Sequence, residues 1–266
     1  MKLAQPAPRR IGEPNWLGLW TLYLREVRRF VKVFSQTILA PVVTSLLFLS
    51  VFALALGGSA RMLDQVAYPV FLVPGLVMMA IMQNGFANTS SSLLIAKIQG
   101  NIVDVLMPPL SASELTIGFA MGGVTRGLVV GLAVAIAMGV FVPIHLVSPA
   151  LVLYHALSAS LMMSLLGLIA GIWAEKFDQM GAITNFIVTP FAFLSGTFYS
   201  TERLTGLWHT LAHLNPFFYM IDGFRYGFIG HADASIPLGV AIMAGANLFL
   251  WILAQKMFAA GYRLKA

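Results

Sequence analysis

The sequence predicts an all-α membrane protein with an amphipathic N-terminal elbow helix, six transmembrane helices, and short re-entrant helices between the fifth and sixth. Three observations lead to this prediction. The chain is 59% hydrophobic and 10% charged, whereas a soluble domain is roughly 45–50% apolar and about 25% charged. Its apolar runs have the length, about 20 residues, that a bilayer crossing requires. Its basic residues gather in alternate connections, as expected if those connections share the cytoplasmic side.

The chain begins with a polar tail, residues 1–15, that we expect to be cytoplasmic. The tail is basic and contains no apolar run, so it is neither a signal peptide nor a span. Residues 16–266 then form a single transmembrane domain. Within it, residues 16–34 repeat apolar side chains at spacings of three and four and gather basic ones on another side. This pattern predicts an amphipathic helix lying in the plane of the membrane surface.

The first three spans are predicted at residues 36–56, 69–93 and 111–140. The second half of the second span turns polar. Because polar groups are costly against lipid, we expect Asn84 and Asn88 to face other helices or a wet path.

Arg126 lies near the middle of the third predicted span. A charge at bilayer depth costs about 2.5–3.5 kcal/mol on insertion scales, which drives the side chain toward the bundle interior or a wet cavity. Two roles stay open, a functional one and a structural tie to carbonyls and hydroxyls. Glycines in the same span recur every fourth residue and predict close approach of neighbouring helices.

A polar interruption, residues 97–114, separates the second and third spans. Lipid cannot satisfy the open backbone groups of a segment broken by Pro108-Pro109, so the segment lies in water or against protein. Ser111 and Glu114 have the spacing of a capping box that begins the third span. We interpret the interruption as a cytoplasmic docking segment through which a separate ATPase drives the protein. The alternative is an ordinary loop helix lying on the bilayer.

The last three spans are predicted at residues 150–174, 180–198 and 237–258. Residues 199–233 are too polar for a span but contain two short helical stripes. The second stripe restarts at Asn215-Pro216, because asparagine caps a helix well and proline fits its first turn. These stripes predict two re-entrant half-helices that dip into the outer leaflet.

The basic residues test this topology. Both termini, the elbow helix, the 97–114 segment and the loop between the fourth and fifth spans are assigned to the cytoplasm. This assignment places most of the 16 basic residues inside: Lys2, Arg9, Arg10, Arg25, Arg28, Arg29, Lys32, Lys97, Lys176, Lys256, Arg263 and Lys265. Outside it places Arg61, Arg203 and Arg225, while Arg126 lies within the membrane. The excess inside supports six spans with both termini cytoplasmic.

The chemistry missing from the sequence limits the function. The chain has no cysteine, which excludes thiol catalysis. It has no Gly-Lys dipeptide, which excludes a phosphate-binding loop ending in Gly-Lys-Ser/Thr. The five histidines are scattered and predict no catalytic or metal-binding residues. Every Asp and Glu falls in a loop, tail or interfacial segment, which weakens the alternative of an ion- or proton-coupled secondary transporter. We therefore predict a transport subunit that is not an enzyme.

Three stretches and their order resemble the ABC-2 type exporter permeases. They are VPGLVMM in the second span, AKIQGNIVDVLMPPLSASE after it, and FLSGTFYSTERLTGLWHTLAHLNPFFYMIDGFRYGF after the fifth span. The resemblance covers nearly the whole chain. It implies a membrane subunit that dimerises with a second copy of itself and pairs with a separate ATPase, which binds ATP and Mg²⁺, so that this chain carries no cofactor. The family exports polysaccharides, lipo-oligosaccharides and drugs, so the implied cargo is a lipid, a glycan or a drug-like molecule.

Two sets of site residues follow from these interpretations. The set expected to couple to the ATPase is Gly100, Asn101, Ile102, Val103, Asp104, Val105, Leu106 and Met107. The set expected to line the substrate path is Asn84, Asn88, Arg126, Thr184 and Asn185. We expect the protein in the bacterial plasma (inner) membrane as a multi-pass protein, with membrane lipid and no nucleic acid among its partners.

Overall fold

The computed structural model describes residues 14–55, 62–63 and 66–264. The predicted tail, apart from its last two residues, therefore lies outside the described residues. So do five of the basic residues used to predict the topology: Lys2, Arg9, Arg10, Arg61 and Lys265.

The described elements of the first half are α1 (Trp16–Val31), a π-helical stretch (Ser35–Leu39), α2 (Ala40–Ala55), β1 (Met62–Leu63), β2 (Val66–Ala67), α3 (Tyr68–Ile98), α4 (Ile102–Leu106) and α5 (Ala112–Gly139). Those of the second half are α6 (Pro149–Trp173), α7 (Phe177–Ile183), a second π-helical stretch (Thr184–Val188), α8 (Thr189–Leu194), a 3₁₀ turn (Thr201–Arg203), α9 (Leu207–Leu214), α10 (Pro216–Ile229) and α11 (Ile236–Ala259). Apart from the antiparallel pair β1 and β2, the described protein is helical.

Five helical segments of the described chain are long and apolar enough to cross a membrane: Ser35–Leu54, Tyr68–Ile98, Ala112–Gly139, Pro149–Trp173 and Ile236–Ala259. They match the first, second, third, fourth and sixth predicted spans. The fifth predicted span, residues 180–198, corresponds to an unbroken but shorter helical run, residues 177–194, that consists of α7, the second π-helical stretch and α8 and is not among these five. Pro190, at the start of α8, has no N–H to donate, and the preceding turn widens into the π-helical stretch.

The central helix of the bundle is α3, which is buried along most of its length between α5, α6 and α10. Close packing around it depends on small residues. A Cβ added at Gly167 of α6 would lie 2.4 Å from the carbonyl oxygen of Phe86, and one at Gly122 of α5 would lie 2.5 Å from Cβ of Glu26. The predicted close approach of helices at the glycine rows is thus confirmed.

Hydrogen bonds define the two ends of this bundle. At one end, Nζ of Lys97 donates to the carbonyl of Ala174 at 2.6 Å, and we call this the α4 end. At the other, which we call the ribbon end, the Tyr68 hydroxyl donates to the carbonyl of Phe198 at 2.9 Å. The 31 residues of α3 separate the two ends, a distance of about 46 Å at 1.5 Å per residue. The chain between Ala174 and Phe198 therefore runs the length of the bundle.

The region predicted as re-entrant contains two short helices of different character. Nearly all of α10 is buried against α6 and α3, whereas α9 exposes apolar side chains such as Trp208. The predicted restart at Asn215 is confirmed, because its Oδ1 accepts the N–H of Phe217 at 3.0 Å. Its Nδ2 donates to Oγ of Ser195 at 2.8 Å, which ties the junction of the two helices to the end of α8.

Candidate coupling and transport site

The segment predicted to meet the ATPase forms the short helix α4. The backbone of Gly100 adopts φ +74°, a left-handed conformation that lets the chain turn out of α3. The eight predicted coupling residues then divide into two groups. Ile102 and Val105 are buried against the bundle. The other group, which faces outward, is Gly100, Asn101, Val103, Asp104, Leu106 and Met107.

This division follows from helical spacing. Ile102 and Val105 are three residues apart and therefore lie on one face of α4. Val103 and Met107 lie away from that face and are 49% and 77% exposed, whereas Leu106, four residues after Ile102, lies at its edge and is 37% exposed. The buried pair anchors α4, and the outward-facing apolar residues, with Asp104 between them, leave a surface on which another protein can dock.

The loop after α4 is fastened to the beginning of α1. The predicted capping box is confirmed, because the backbone N–H and the hydroxyl of Ser111 both donate to Oε2 of Glu114, at 2.7 and 2.8 Å. The other carboxylate oxygen of Glu114 accepts the N–H of Asn15. Oδ1 of Asn15 in turn caps α1 by accepting the N–H of Gly18 at 3.0 Å. A displacement of this loop would therefore move both α1 and α5.

A buried carboxylate fastens the middle of α1 to α3. Glu26 is 0% exposed, and its Oε1 accepts from Oγ of Ser92 at 2.8 Å and from Arg25 at 3.0 Å. Nε of Arg29 lies 3.4 Å from the other oxygen of Glu26. The guanidinium of Arg29 also donates to Oδ1 of Asn88 at 3.0 Å. Asn88, predicted to line the substrate path, is fully buried and contributes to the contact between α1 and α3.

Two other residues predicted for the substrate path form a pair. Arg126 donates through Nε and Nη2 to Oδ1 of Asn84, at 3.3 and 3.1 Å. The amide nitrogen of Asn84 donates to the carbonyl of Ala80, one turn earlier in α3, at 3.0 Å. Arg126 thus has a partner that the sequence did not reveal, and this contact favours the structural tie without excluding a functional role.

The remaining two predicted path residues lie elsewhere. Thr184 and Asn185 belong to the second π-helical stretch, where Asn185 is exposed and the Thr184 hydroxyl donates to the carbonyl of Met180 at 3.0 Å. Within the described residues, no hydrogen bond joins them to Asn84 or Arg126.

A cavity of about 320 Å³ between α2 and α3 includes Asn84 in its lining. The other polar residues that line it are Gln36, Thr44, Ser45 and Gln83, which were not among the residues predicted for the substrate path. The sequence could have indicated them, because a polar side chain within an apolar span costs free energy against lipid in the first span as it does in the second. The cavity offers amide and hydroxyl groups beside apolar walls, a combination suited to an amphipathic molecule.

The Arg126–Asn84 contact leads to a testable expectation. Replacing Arg126 with Ala or Asn84 with Ala should each lower the free energy of unfolding by about 1.5–3 kcal/mol, the range for hydrogen bonds to charged groups. Because the two side chains bond to each other, the double variant should be about as stable as either single variant. Chemical unfolding of the wild type, the two single variants and the double variant in detergent measures this coupling. If the losses of unfolding free energy add up in the double variant, the contact between the two side chains contributes nothing to stability.

The ribbon end contains a group that sequence spacing did not predict. Glu202, His231 and Asp233 place their ligand atoms within 4.8 Å of one another. Nε2 of His231 lies 3.6 Å from Oδ1 of Asp233, and Oδ2 of Asp233 accepts the N–H of Thr201 at 2.6 Å. Such contacts explain the group without a metal, and the prediction of no metal-binding residues stays untested.

The bundle, the outward-facing face of α4 and the absence of a Gly-Lys dipeptide define a class of protein. It is a multi-pass helical membrane protein without a phosphate-binding loop that ends in Gly-Lys-Ser/Thr. A family model for the ABC-2 type transporter matches residues 18–229. The chain belongs to the ABC-2 type transporter family and is a non-catalytic permease subunit, as the resemblance predicted.

Two relatives cover nearly the full length of the chain. It is 36% identical over 245 residues to the inner membrane transport permease YadH of Escherichia coli K12, covering 91% of this chain and 96% of that protein. It is 22% identical over 234 residues to nodulation protein J of Rhizobium leguminosarum bv. viciae, covering 87% of this chain and 89% of the relative.

Proposed function

We propose that this chain is the membrane subunit of an ATP-binding cassette exporter in the bacterial inner membrane, with both termini in the cytoplasm. The name of the YadH relative supports the location. The charge distribution supports the orientation. The α4 end and the last turns of the helices that reach it carry Arg25, Arg28, Arg29, Lys32, Lys97, Lys176, Lys256 and Arg263. Such an excess of basic residues is typical of the cytoplasmic side.

The segment Phe177 to Leu194 is, in this proposal, the remaining membrane crossing. Ala174 lies at the α4 end and Phe198 lies at the ribbon end. If α3 crosses the membrane, the chain between these two residues therefore crosses it as well. Its 18 helical residues would span about 27 Å, close to the bilayer core of about 30 Å. Six crossings then leave α9 and α10 as the re-entrant pair on the outer side.

A separate ATPase would drive the transporter by binding the outward-facing side of α4. The observation that carries this proposal is the division of α4 into a buried anchor and an exposed surface on a chain of the ABC-2 family. The ATPase would bind ATP and Mg²⁺. Movement of α4 would reach α1 and α5 through Glu114 and Asn15, and would reach α3 directly along the chain.

A second copy of the chain would cover the apolar faces that the bundle leaves open. Outward-facing residues of α2, such as Leu47 and Leu54, are 60% and 83% exposed. Phe186 of the second π-helical stretch is 80% exposed. In a homodimer joined near these segments, the cavity between α2 and α3 would lie close to the interface and could form part of the path. A lipid, a glycan or a drug-like molecule fits its mixed lining.

The alternative, an ion- or proton-coupled secondary transporter, has less support. A proton-coupled mechanism needs an ionisable group in the path, commonly a carboxylate, that changes its protonation during transport. The buried acids Glu26, Glu114 and Asp222 are held by basic side chains or N–H donors, which fits fixed structural roles.

One experiment separates the two mechanisms. The chain, purified with the ATPase that accompanies it, is reconstituted into liposomes containing a fluorescent phospholipid or an amphipathic dye. We expect movement of one of these probes to require ATP and to persist when a protonophore collapses the proton gradient. Because coupling between sites is reciprocal, the transported probe should also change the rate of ATP hydrolysis. Transport that needs no ATP and stops with the protonophore would establish the alternative.

A further inference from the structure

A basic cavity of about 1010 Å³ lies between α1, the last turns of α3 and α4. Its charged lining residues are Arg25, Arg28, Arg29, Lys32 and Asp104. Among the described residues, four cations therefore face a single carboxylate, that of Asp104. This imbalance makes the cavity electrostatically attractive to an anion.

The four cations occupy neighbouring positions on one side of α1, at spacings of three and four residues. Like charges at such spacings destabilise a helix. The carboxylate of Glu26, which does not line the cavity, balances the charges of two of these cations, because it lies 3.0 Å from Arg25 and 3.4 Å from Arg29. The other two, Arg28 and Lys32, are exposed.

Arg28 and Lys32 differ from Arg25 and Arg29 in their partners. Within the described residues, the side chains of Arg28 and Lys32 form no hydrogen bond and no ion pair. They are one helical turn apart, so a single anion can contact both. Guanidinium and ammonium groups both bind phosphate oxygens, the first through its planar fork and the second as a point charge.

The position of α1 indicates where such an anion comes from. Trp16, Leu17 and Trp20 of the same helix are 70%, 67% and 56% exposed. An amphipathic helix with exposed tryptophans and a basic side lies at the level of lipid headgroups. A basic pocket at the cytoplasmic surface of a membrane protein is suited to anionic headgroups.

We propose that this cavity binds a phosphate-bearing anion, the headgroup of an anionic phospholipid, through Arg28 and Lys32. The inference rests on the membrane topology proposed above, which places α1 at the cytoplasmic surface, but it does not require that α4 bind an ATPase. Beside α4, a bound headgroup would fill the space between the elbow helix and the coupling segment.

The test measures lipid binding to the full-length purified chain in a neutral detergent. Phosphatidylglycerol and phosphatidylcholine are each titrated and followed by native mass spectrometry. The double variant Arg28→Gln/Lys32→Gln should bind phosphatidylglycerol about 30-fold more weakly, the loss expected for two charges at about 1 kcal/mol each. Phosphatidylcholine binding should not change. The matched control is Lys176→Gln/Lys256→Gln, which removes two exposed cations that do not line the cavity and should retain wild-type affinity.

Competition with millimolar inorganic phosphate distinguishes the two sources of phosphate. Retention of phosphatidylglycerol supports a lipid site, whereas displacement of the lipid assigns the same residues to a soluble phosphate compound. Equal losses of phosphatidylglycerol affinity in the two double variants would overturn the proposal, because they would indicate only a general attraction between the positive protein and the negative lipid. Unchanged lipid binding in Arg28→Gln/Lys32→Gln, with loss of the accompanying ATPase, would also overturn it and identify the cavity as a protein-docking surface.

Discussion

Replacing Leu106 with Asp is expected to abolish ATP-driven transport while the membrane bundle stays folded. The side chain is 37% exposed on the outward-facing side of α4, so the substitution adds a charge to the proposed docking surface without opening a core cavity. Truncation of a central contact residue commonly costs about 2–4 kcal/mol of binding free energy. The affinity for the ATPase should therefore fall about 30-fold or more, as measured by co-purification and by transport into liposomes.

Two controls make this result specific. Ile102→Asp, on the buried face of the same helix, should lower the unfolding temperature as well, since it buries an unpaired charge. Val140→Asp makes a comparable change at a residue 76% exposed near the ribbon end and should leave ATPase binding intact. Wild-type co-purification and transport by Leu106→Asp would remove α4 from the coupling pathway.

Replacing Glu26 with Gln is expected to be among the most destabilising single changes at the α1–α3 contact. The carboxylate is fully buried and is close to Arg25 and Arg29. Removing one member of a buried ion pair typically costs about 3–5 kcal/mol, because the other charge is left uncompensated. Both arginines retain partial access to water, so we expect a loss near the lower end of that range.

The control for this change is Glu175→Gln. Glu175 also contacts an arginine, at 3.6 Å from Arg263, but its side chain is 57% exposed. Exposed pairs contribute about 0–1 kcal/mol, so its unfolding transition should hardly move. If chemical unfolding in detergent gives equal values for the two variants, the buried network does not hold α1 against α3.

Patterns of short range predicted much of this fold. The amphipathic spacing in α1, the capping box of Ser111 and Glu114, and the restart at Asn215 are all present. Each depends on residues within one or two helical turns, and local chemistry decides the outcome. The glycine rows were also informative, since small residues permit close approach whichever helix supplies the neighbour.

Contacts between distant parts of the chain were not predictable. Glu26 stands among basic residues on a helix predicted to lie at the membrane surface, and only the fold, which brings Ser92 of α3 next to it, places its carboxylate in the interior. Lys97 was assigned to a polar loop, but it extends α3 and caps the end of α6 through Ile172 and Ala174. The partner of Arg126 is 42 residues away. The periodicity of one segment does not show which side chains of a distant segment it will contact.

The fifth predicted span shows a different limit. Its residues include Thr184, Asn185 and Pro190, which reduce its apolar character. The pattern predicted a single span, and the helical run from Phe177 to Leu194 is unbroken, but it contains a π-helical stretch just before Pro190 that the pattern did not predict. For α4, composition located the segment, but only packing could distinguish the anchoring Ile102 from the exposed Met107.

The central claim, that α4 meets a cytoplasmic ATPase, is tested most directly by labelling single thiols with a membrane-impermeant maleimide. The chain has no cysteine, so Met107→Cys and Thr205→Cys each introduce one reporter, the first on the exposed face of α4 and the second at an exposed position near the ribbon end. We predict that Met107→Cys reacts in inverted membrane vesicles and not in intact spheroplasts, that Thr205→Cys shows the opposite pattern, and that added ATPase protects only Met107→Cys. Labelling of Met107→Cys from outside intact spheroplasts would contradict the account.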